Sequence, residues 1–448
     1  MIVLVICAVS LLYGIIQYND GRKGRGALVF FFLLTGGFHF LNQSWCPVKY
    51  ADFAVVYLMV VAFLNAWKGN TAFFKPQIKI YKIVTIIGLY ITLEFVRTMA
   101  MKEEILSFAL ANYRTYIPFF SFWLVQELKE REINCLFKQI AFITILSTVL
   151  FDLQPLLNIK FLHHASISES RYRNIPYLAY FFMLWATVRI DFKRWKSVAL
   201  VLVFLIAMVL TQHRAVMMAY VFCVCLHLLM TKNGGRLVQY GVVGLIVFMF
   251  AGEAIMDRFE KEGVNRNTTF EDIQAVVNLD YNQAVYNEFE NENGTLSFRV
   301  LLLVERVNYM FNNPRYAVFG IGTRHEDSPK TQQQFDFVLG SRRASKGTFD
   351  QTSSGDLAWV NPLMRFGFLG IAILLYLSWV IIRFLYRRRK DSDLAMSAFL
   401  FYLLLFIISF KNDHLYGNMQ MFFVYMLIEY IRYSNVKLRI KRVKNDEL

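Results

Sequence analysis

Thirteen stretches of mostly apolar residues follow one another along the chain, near 2–18, 27–42, 51–67, 80–97, 113–128, 134–152, 175–190, 197–212, 214–231, 237–255, 358–385, 394–410 and 419–433. Each approaches the roughly 17 to 25 residues that a helix needs to cross the hydrocarbon core of a bilayer. No single soluble core can hide that many, and only 18% of the 448 residues are charged while 56% are hydrophobic. The expectation is an all-α integral membrane protein with about 13 (12–14) transmembrane helices. The first run begins apolar, lacks a basic leader and is followed by Arg22, Lys23 and Arg25, so it reads as a retained span rather than a cleaved signal. Four parts follow: a bundle of about ten spans over 1–255, a long loop over 256–357, about three spans over 358–433, and a basic tail over 434–448.

Charge orders these spans. The chain carries 48 Lys and Arg against 33 Asp and Glu, a net +15. With the amino terminus outside, the inner connections hold Arg22, Lys23 and Arg25; Lys68, Lys75 and Lys79; Lys129 and Arg131; Lys193, Arg194 and Lys196; Lys232 and Arg236; and Arg387 to Lys390. The outer connections, near Ser44, Lys102, His163, His213 and 411–414, are neutral, mixed or acidic, as the positive-inside rule requires. The loop 256–357 has 15 acidic and 11 basic residues, so the positive excess belongs to the inner face and a nucleic-acid role loses its main support.

The five cysteines form no CxxC and suit structural roles in or beside apolar segments. His163, His164, His213, His325 and His414 fall on the outer side, but without HxxxH or HExxH spacing, so a metal site is a minor reading. No Walker sequence, GxGxxG or GxSxG is present, which weakens an ATP-driven pump and a serine hydrolase. No cofactor is expected.

A loop of about 100 residues is long enough to read as a functional element. Thr268 and Glu271 look like a capping box ahead of a helix that carries Phe270, Ile273 and Val277 on one face. A second helix is predicted from 294–295 to the AsnAsnPro at 312–314. It places Arg299 and Arg306 two turns apart on one side. After GlyIleGly at 320–322, the polar composition of 325–355 fits a mobile stretch. Tyr281, Tyr286, Tyr309, Tyr316 and Trp359 are candidates for stacking on sugar rings, although aromatic residues near a membrane more often lie at the interface.

Arg214 is the sharpest functional candidate: it sits in ThrGlnHisArgAla, between two apolar runs, on the face where topology needs no cation. A snorkelling anchor is its competing explanation. Asp356 stands before Trp359 at the mouth of the next span, where it reads equally well as a general base or as a helix N-cap. Arg171, Arg173, Arg324, Arg342 and Arg343 are placed to pair with phosphate or to sit among headgroups, and His213 and His414 join the substrate-binding candidates. Converging outer arginines and one carboxylate point to chemistry on a lipid-linked pyrophosphate, whose oxygens guanidinium groups grip in pairs.

The order of spans, ThrGlnHisArgAla at 211–215, SerPheArg at 297–299, AsnPro with PheGlyIleGly within 313–322, and AspLeuAlaTrpValAsnProLeuMetArgPheGlyPheLeuGly at 356–370 resemble the O-antigen polymerase and ligase superfamily. The resemblance covers about 200–385 in motifs and the remainder in hydropathy alone. It implies a glycosyltransferase-C-like enzyme of the bacterial cytoplasmic membrane, with its active site on the periplasmic or exterior side. The implied substrate is an undecaprenyl-pyrophosphate-linked oligosaccharide, and membrane lipids, a chain-length regulator and a flippase are implied partners. Arg214 and Arg299 would bind the donor pyrophosphate, with Arg171, Arg173 or Arg306 assisting. Ligases commonly carry a histidine about eleven residues before the GlyxxGly at Gly367–Gly370, where this chain has Asp356, and that departure favours a repeat-unit polymerase. Rival readings are a ligase, a glycan transporter and a membrane scaffold. The spans hold few internal charges for transport, Glu94, Arg97 and Arg365 being the clearest.

Overall fold

A computed structural model describes residues 2–42, 46, 48–162, 167–168, 171–172, 175–176, 178–211, 213–231, 240–241, 295–331, 335, 352, 357–410 and 414–446. They are almost entirely helical, with one two-residue antiparallel ladder in which Ile167 pairs with Tyr172 and Ser168 with Arg171. In chain order the helices are α1 (Ile2–Asn19), α2 (Lys23–Leu34), α3 (Tyr50–Trp67), α4 (Lys79–Ala100), α5 (Leu106–Tyr113), α6 (Phe122–Gln126), α7 (Glu130–Leu157), α8 (Ala179–Val188), α9 (Trp195–Thr211) and α10 (Arg214–Thr231). Then come α11 (Thr295–Asn312), α12 (Pro314–Phe319), α13 (Val360–Arg388), α14 (Asp393–Ile408) and α15 (Asn418–Asp446).

Among the described residues five helices are long and apolar enough to cross a membrane: α1, α3, α4, α7 and α13. Their exposed faces are apolar at helical spacing, with Val5, Val9, Leu12 and Ile16 on α1 and Ile86, Leu89, Leu93 and Val96 on α4. Stripes of that size on an outer surface belong against lipid rather than water. The chain is an all-helical membrane protein.

Several expected spans take another form. The stretch 27–42 is helical only to Leu34, after which Gly36, Gly37, Phe38 and His39 adopt positive φ and turn the chain. The stretch 113–128 is a tight 3-10 turn, Arg114–Ser121, containing Pro118 and followed by the short α6. Proline lacks the amide that a regular helix would use there. The stretch 175–190 is helical only over α8, α9 and α14 are shorter apolar helices, and 237–255 lies outside the described residues except for 240–241. The helix expected after Thr268 also lies outside them. α15 runs on to Asp446, through most of the stretch expected as the basic tail.

The short α14 is apolar on every side and correspondingly buried, packed among α8, α10, α13 and α15. The connections sort into two ends. At one, Lys23 pairs with Glu127, Gly24 N donates to Glu132 Oε1 at 3.0 Å, Arg432 donates to Gln77 Oε1 at 2.9 Å, and Tyr433 Oη donates to Leu128 O at 3.1 Å. At the other, Arg114 lies 3.3 Å from Asp52, Asn418 donates to Thr115 O at 2.9 Å, and Ala358 N donates to Ser409 O at 3.0 Å. Connections read as inner meet one another, and so do those read as outer.

Candidate functional site

The site, at the end where the connections expected on the outer side meet, is built around a break in α13. Gly367 has φ 63° and ψ −166°, which interrupts the helix and frees the carbonyls before it. Each finds a donor: Ile321 N donates to Met364 O at 2.8 Å, Gly322 N to Arg365 O at 3.0 Å, and Tyr90 Oη to Phe366 O at 2.8 Å. Irregular backbone inside a membrane bundle survives only when its polar groups are satisfied in this way. Gly320, also at positive φ, allows the close approach: a Cβ there would fall within the backbone of Arg365, and one on Gly367 would fall on Val318 O. The PheGlyIleGly and ArgPheGlyPheLeuGly sequences, about 45 residues apart, are therefore two halves of one contact.

Around this contact lies a polar cluster fed by α4, the turn after it, α12 and α13. Arg97 donates to Glu94 Oε2 at 2.7 Å and to Gly320 O at 2.7 Å. Glu103 receives three guanidinium groups: Arg315, Arg324 at 3.3 Å and Arg97 at 4.0 Å. Glu104 accepts from Ser328 Oγ at 3.0 Å, His325 N at 3.1 Å and Ile105 N at 3.0 Å. On the α13 side Arg365, 5% exposed, is held by Asn361, donates to Arg324 O at 3.1 Å and lies 3.6 Å from Glu326. Glu326 in turn accepts from Thr352 N at 3.0 Å. The cations and carboxylates of this cluster balance, which is what burial demands.

A second, smaller group joins it. Arg306, 1% exposed, pairs with Glu305 and lies 4.4 Å over the Phe335 ring. Phe335 packs edge-on to Tyr309, Tyr309 stacks on Tyr316 at 6.2 Å, and the Arg324 guanidinium sits 5.4 Å from the Tyr316 ring. The structure thus brings Arg306 and Arg324 into one packed series, each already matched by a carboxylate. Tyr309 and Tyr316 are partly exposed members of that series. Within 325–355, Ser328, Thr331 and Thr352 are fully buried, and most of the stretch expected to be mobile lies outside the described residues.

Beside the cluster a cavity of about 520 Å³ opens between α4, the Arg114–Ser121 turn, α13 and the 414–418 connection. Tyr90, Tyr116, Phe119, Phe366 and Tyr416 supply rings, Thr115, Asn361 and Asn418 supply polar groups, and Ile87, Ile91, Ile373 and Leu374 form an apolar floor. Its size and mixed lining are those of a small-molecule site. Burial pushes the Tyr416 phenol well above its ordinary pKa, so it stays protonated and donates to Leu374 O at 2.8 Å. Trp359, next to the lining residue Ala358, donates to Ser409 Oγ at 3.0 Å and packs against Phe406 and Tyr416.

The sequence candidates are dispersed around this centre. Arg299 is half-buried on α11, which packs on α12 and α13. Arg214 heads α10, which packs on α8, α9 and α14, with His213 exposed just before it. His414 begins the short turn that brings Tyr416 to the cavity, and Arg171 lies in the two-residue ladder. Asp356, Arg173, Arg342 and Arg343 lie outside the described residues, while Leu357 and Ala358, which follow Asp356, are buried at the outer end. Glu103 and Glu104 were not singled out by the sequence reading. Adjacent carboxylates in a short outer connection, facing an arginine-rich loop, were the available signal. Compared with known proteins, the chain matches no family model and no curated protein.

Proposed function

We propose that the chain polymerises undecaprenyl-pyrophosphate-linked oligosaccharide repeat units on the outer face of the bacterial cytoplasmic membrane. The observation that carries this reading is the 520 Å³ cavity, ringed and amide-lined at its polar side, apolar at its floor, and bordered by the segment that follows Asp356. Such a lining suits a sugar whose carrier is a lipid. The acceptor hydroxyl oxygen attacks the anomeric carbon of the donor, the bond from that carbon to the pyrophosphate oxygen breaks, and Asp356 takes the hydroxyl proton. Configuration inverts, and undecaprenyl pyrophosphate leaves. Arg214 and Arg299 stabilise the negative charge that develops on it, as preorganised cations do in a site of low dielectric. Arg306 and Arg324, each matched by a carboxylate, hold the loop in place in this scheme.

A transporter is the second reading, favoured by the Glu94–Arg97 and Glu326–Arg365 pairs of the cluster beside the cavity. The surface-glycan profile of a strain lacking the protein separates the readings. Polymerisation predicts attached glycan reduced to a single repeat. Long glycan stranded on undecaprenyl pyrophosphate would instead identify a ligase, and an unchanged profile would return the question to transport or scaffolding.

A further inference from the structure

A second cavity, about 440 Å³, lies at the opposite, basic end of the same two helices. It is formed by Ile78–Ile80 at the start of α4 and by the last three turns of α13, from Tyr376 to Arg388. Lys79, Arg383 and Arg387 converge on it from both helices, and Lys79 Nζ lies 5.6 Å from the Tyr376 ring centre. Among the described residues no carboxylate oxygen is within 4.0 Å of these three cations. Arg388 differs, because Asp391 lies 3.6 Å away. The wall toward the middle of the molecule is apolar, formed by Val380 and by Trp379, which is 59% exposed.

We propose that this cleft binds an anionic phospholipid. The phosphate is held by Lys79, Arg383 and Arg387, and one acyl chain runs along the apolar seam between α4 and α13. Two features distinguish the cleft from the scattered cations that set topology. Its charges come from two helices onto one concave surface, and exposed Trp379 and Tyr376 sit where headgroup meets hydrocarbon. A lipid there would clamp the ends of the two helices whose other ends frame the outer cavity. The proposal stands independently of the polymerase reading.

The test uses the full-length protein, delipidated in a neutral detergent and titrated with phosphatidylglycerol or phosphatidylcholine. Retained lipid is read by native mass spectrometry and thermal stability by intrinsic fluorescence. The expected result is preferential retention of phosphatidylglycerol with a rise in melting temperature. Affinity should fall roughly a hundredfold in the variant combining Lys79→Gln, Arg383→Gln and Arg387→Gln, and about fivefold for Arg383→Gln alone, which covers a triple variant that does not fold. Lys390→Gln, outside the cleft, should leave retention unchanged. Equal retention of the two lipids, or phosphatidylglycerol binding unaffected by Arg383→Gln, would overturn the proposal. So would inorganic phosphate producing the same shift at equal concentration, since that would reduce the cleft to a bare anion site.

Discussion

Helices α4 and α13 meet at both ends, and the two ends treat charge in opposite ways. At the outer end Arg97, Arg315, Arg324 and Arg365 are each within ion-pair distance of Glu94, Glu103 or Glu326, and the backbone of the broken helix is fully engaged by its neighbours. At the basic end Lys79, Arg383 and Arg387 face a cleft with no carboxylate of the described residues beside them. A buried cation without a counter-charge is costly, so the outer cluster must carry its own acids. An exposed cation at a membrane surface has water and phosphate to meet it, so the basic end has no such need. Matched charge therefore marks where the protein holds itself together, and unmatched charge marks where it meets something else.

The largest effects should come from breaking the contact that the outer cluster surrounds. Gly367→Val introduces a side chain at positive φ against Val318 O, and loss of monodisperse protein after extraction is expected. Removing one partner of a buried pair comes next. Arg365→Ala should destabilise by about 3 to 5 kcal/mol, read as a large fall in melting temperature, because Glu326 loses its cation and the Arg324 carbonyl loses one of its two donors, keeping only Asn112. Glu103→Gln should cost about 2 to 3 kcal/mol by leaving three guanidiniums without their shared carboxylate. Pairing it with Arg324→Gln should recover part of that loss in a double-mutant cycle. Trp359→Phe should cost about 1 kcal/mol, the value of one hydrogen bond to Ser409. At the basic end Arg383→Gln in lipid-free detergent should change stability by less than about 0.5 kcal/mol. A large loss there would erase the contrast between the two ends.

Much of the architecture was legible because hydrophobicity over a span is a local property. The runs around α1, α3, α4, α7 and α13 announce themselves, and the alternation of basic connections agrees with which connections meet. Backbone breaks inside apolar sequence were not legible. The stretch 113–128 has the composition of a span, yet Pro118 sits within a 3-10 turn, and the run through Gly367 reads as unbroken helix. Glu94, Arg97 and Arg365 stood out as charges within spans, but their partners are far away in sequence. Arg97 meets the Gly320 carbonyl, and Arg365 meets Glu326, across loops whose path no periodicity reveals. Arg324 looked available because sequence shows a cation without showing Glu103, more than 200 residues away, beside it.

Reconstitution tests the proposed activity most directly. Purified protein in liposomes, given undecaprenyl-pyrophosphate-linked repeat units as both donor and acceptor, is expected to produce a ladder of lengthened glycan with release of undecaprenyl pyrophosphate. The ladder should vanish in Arg214→Ala, Arg299→Ala and Asp356→Asn and persist in Lys390→Gln. Folded wild-type protein that yields no ladder, or variants at Arg214 and Arg299 that yield it in full, would contradict the polymerase mechanism.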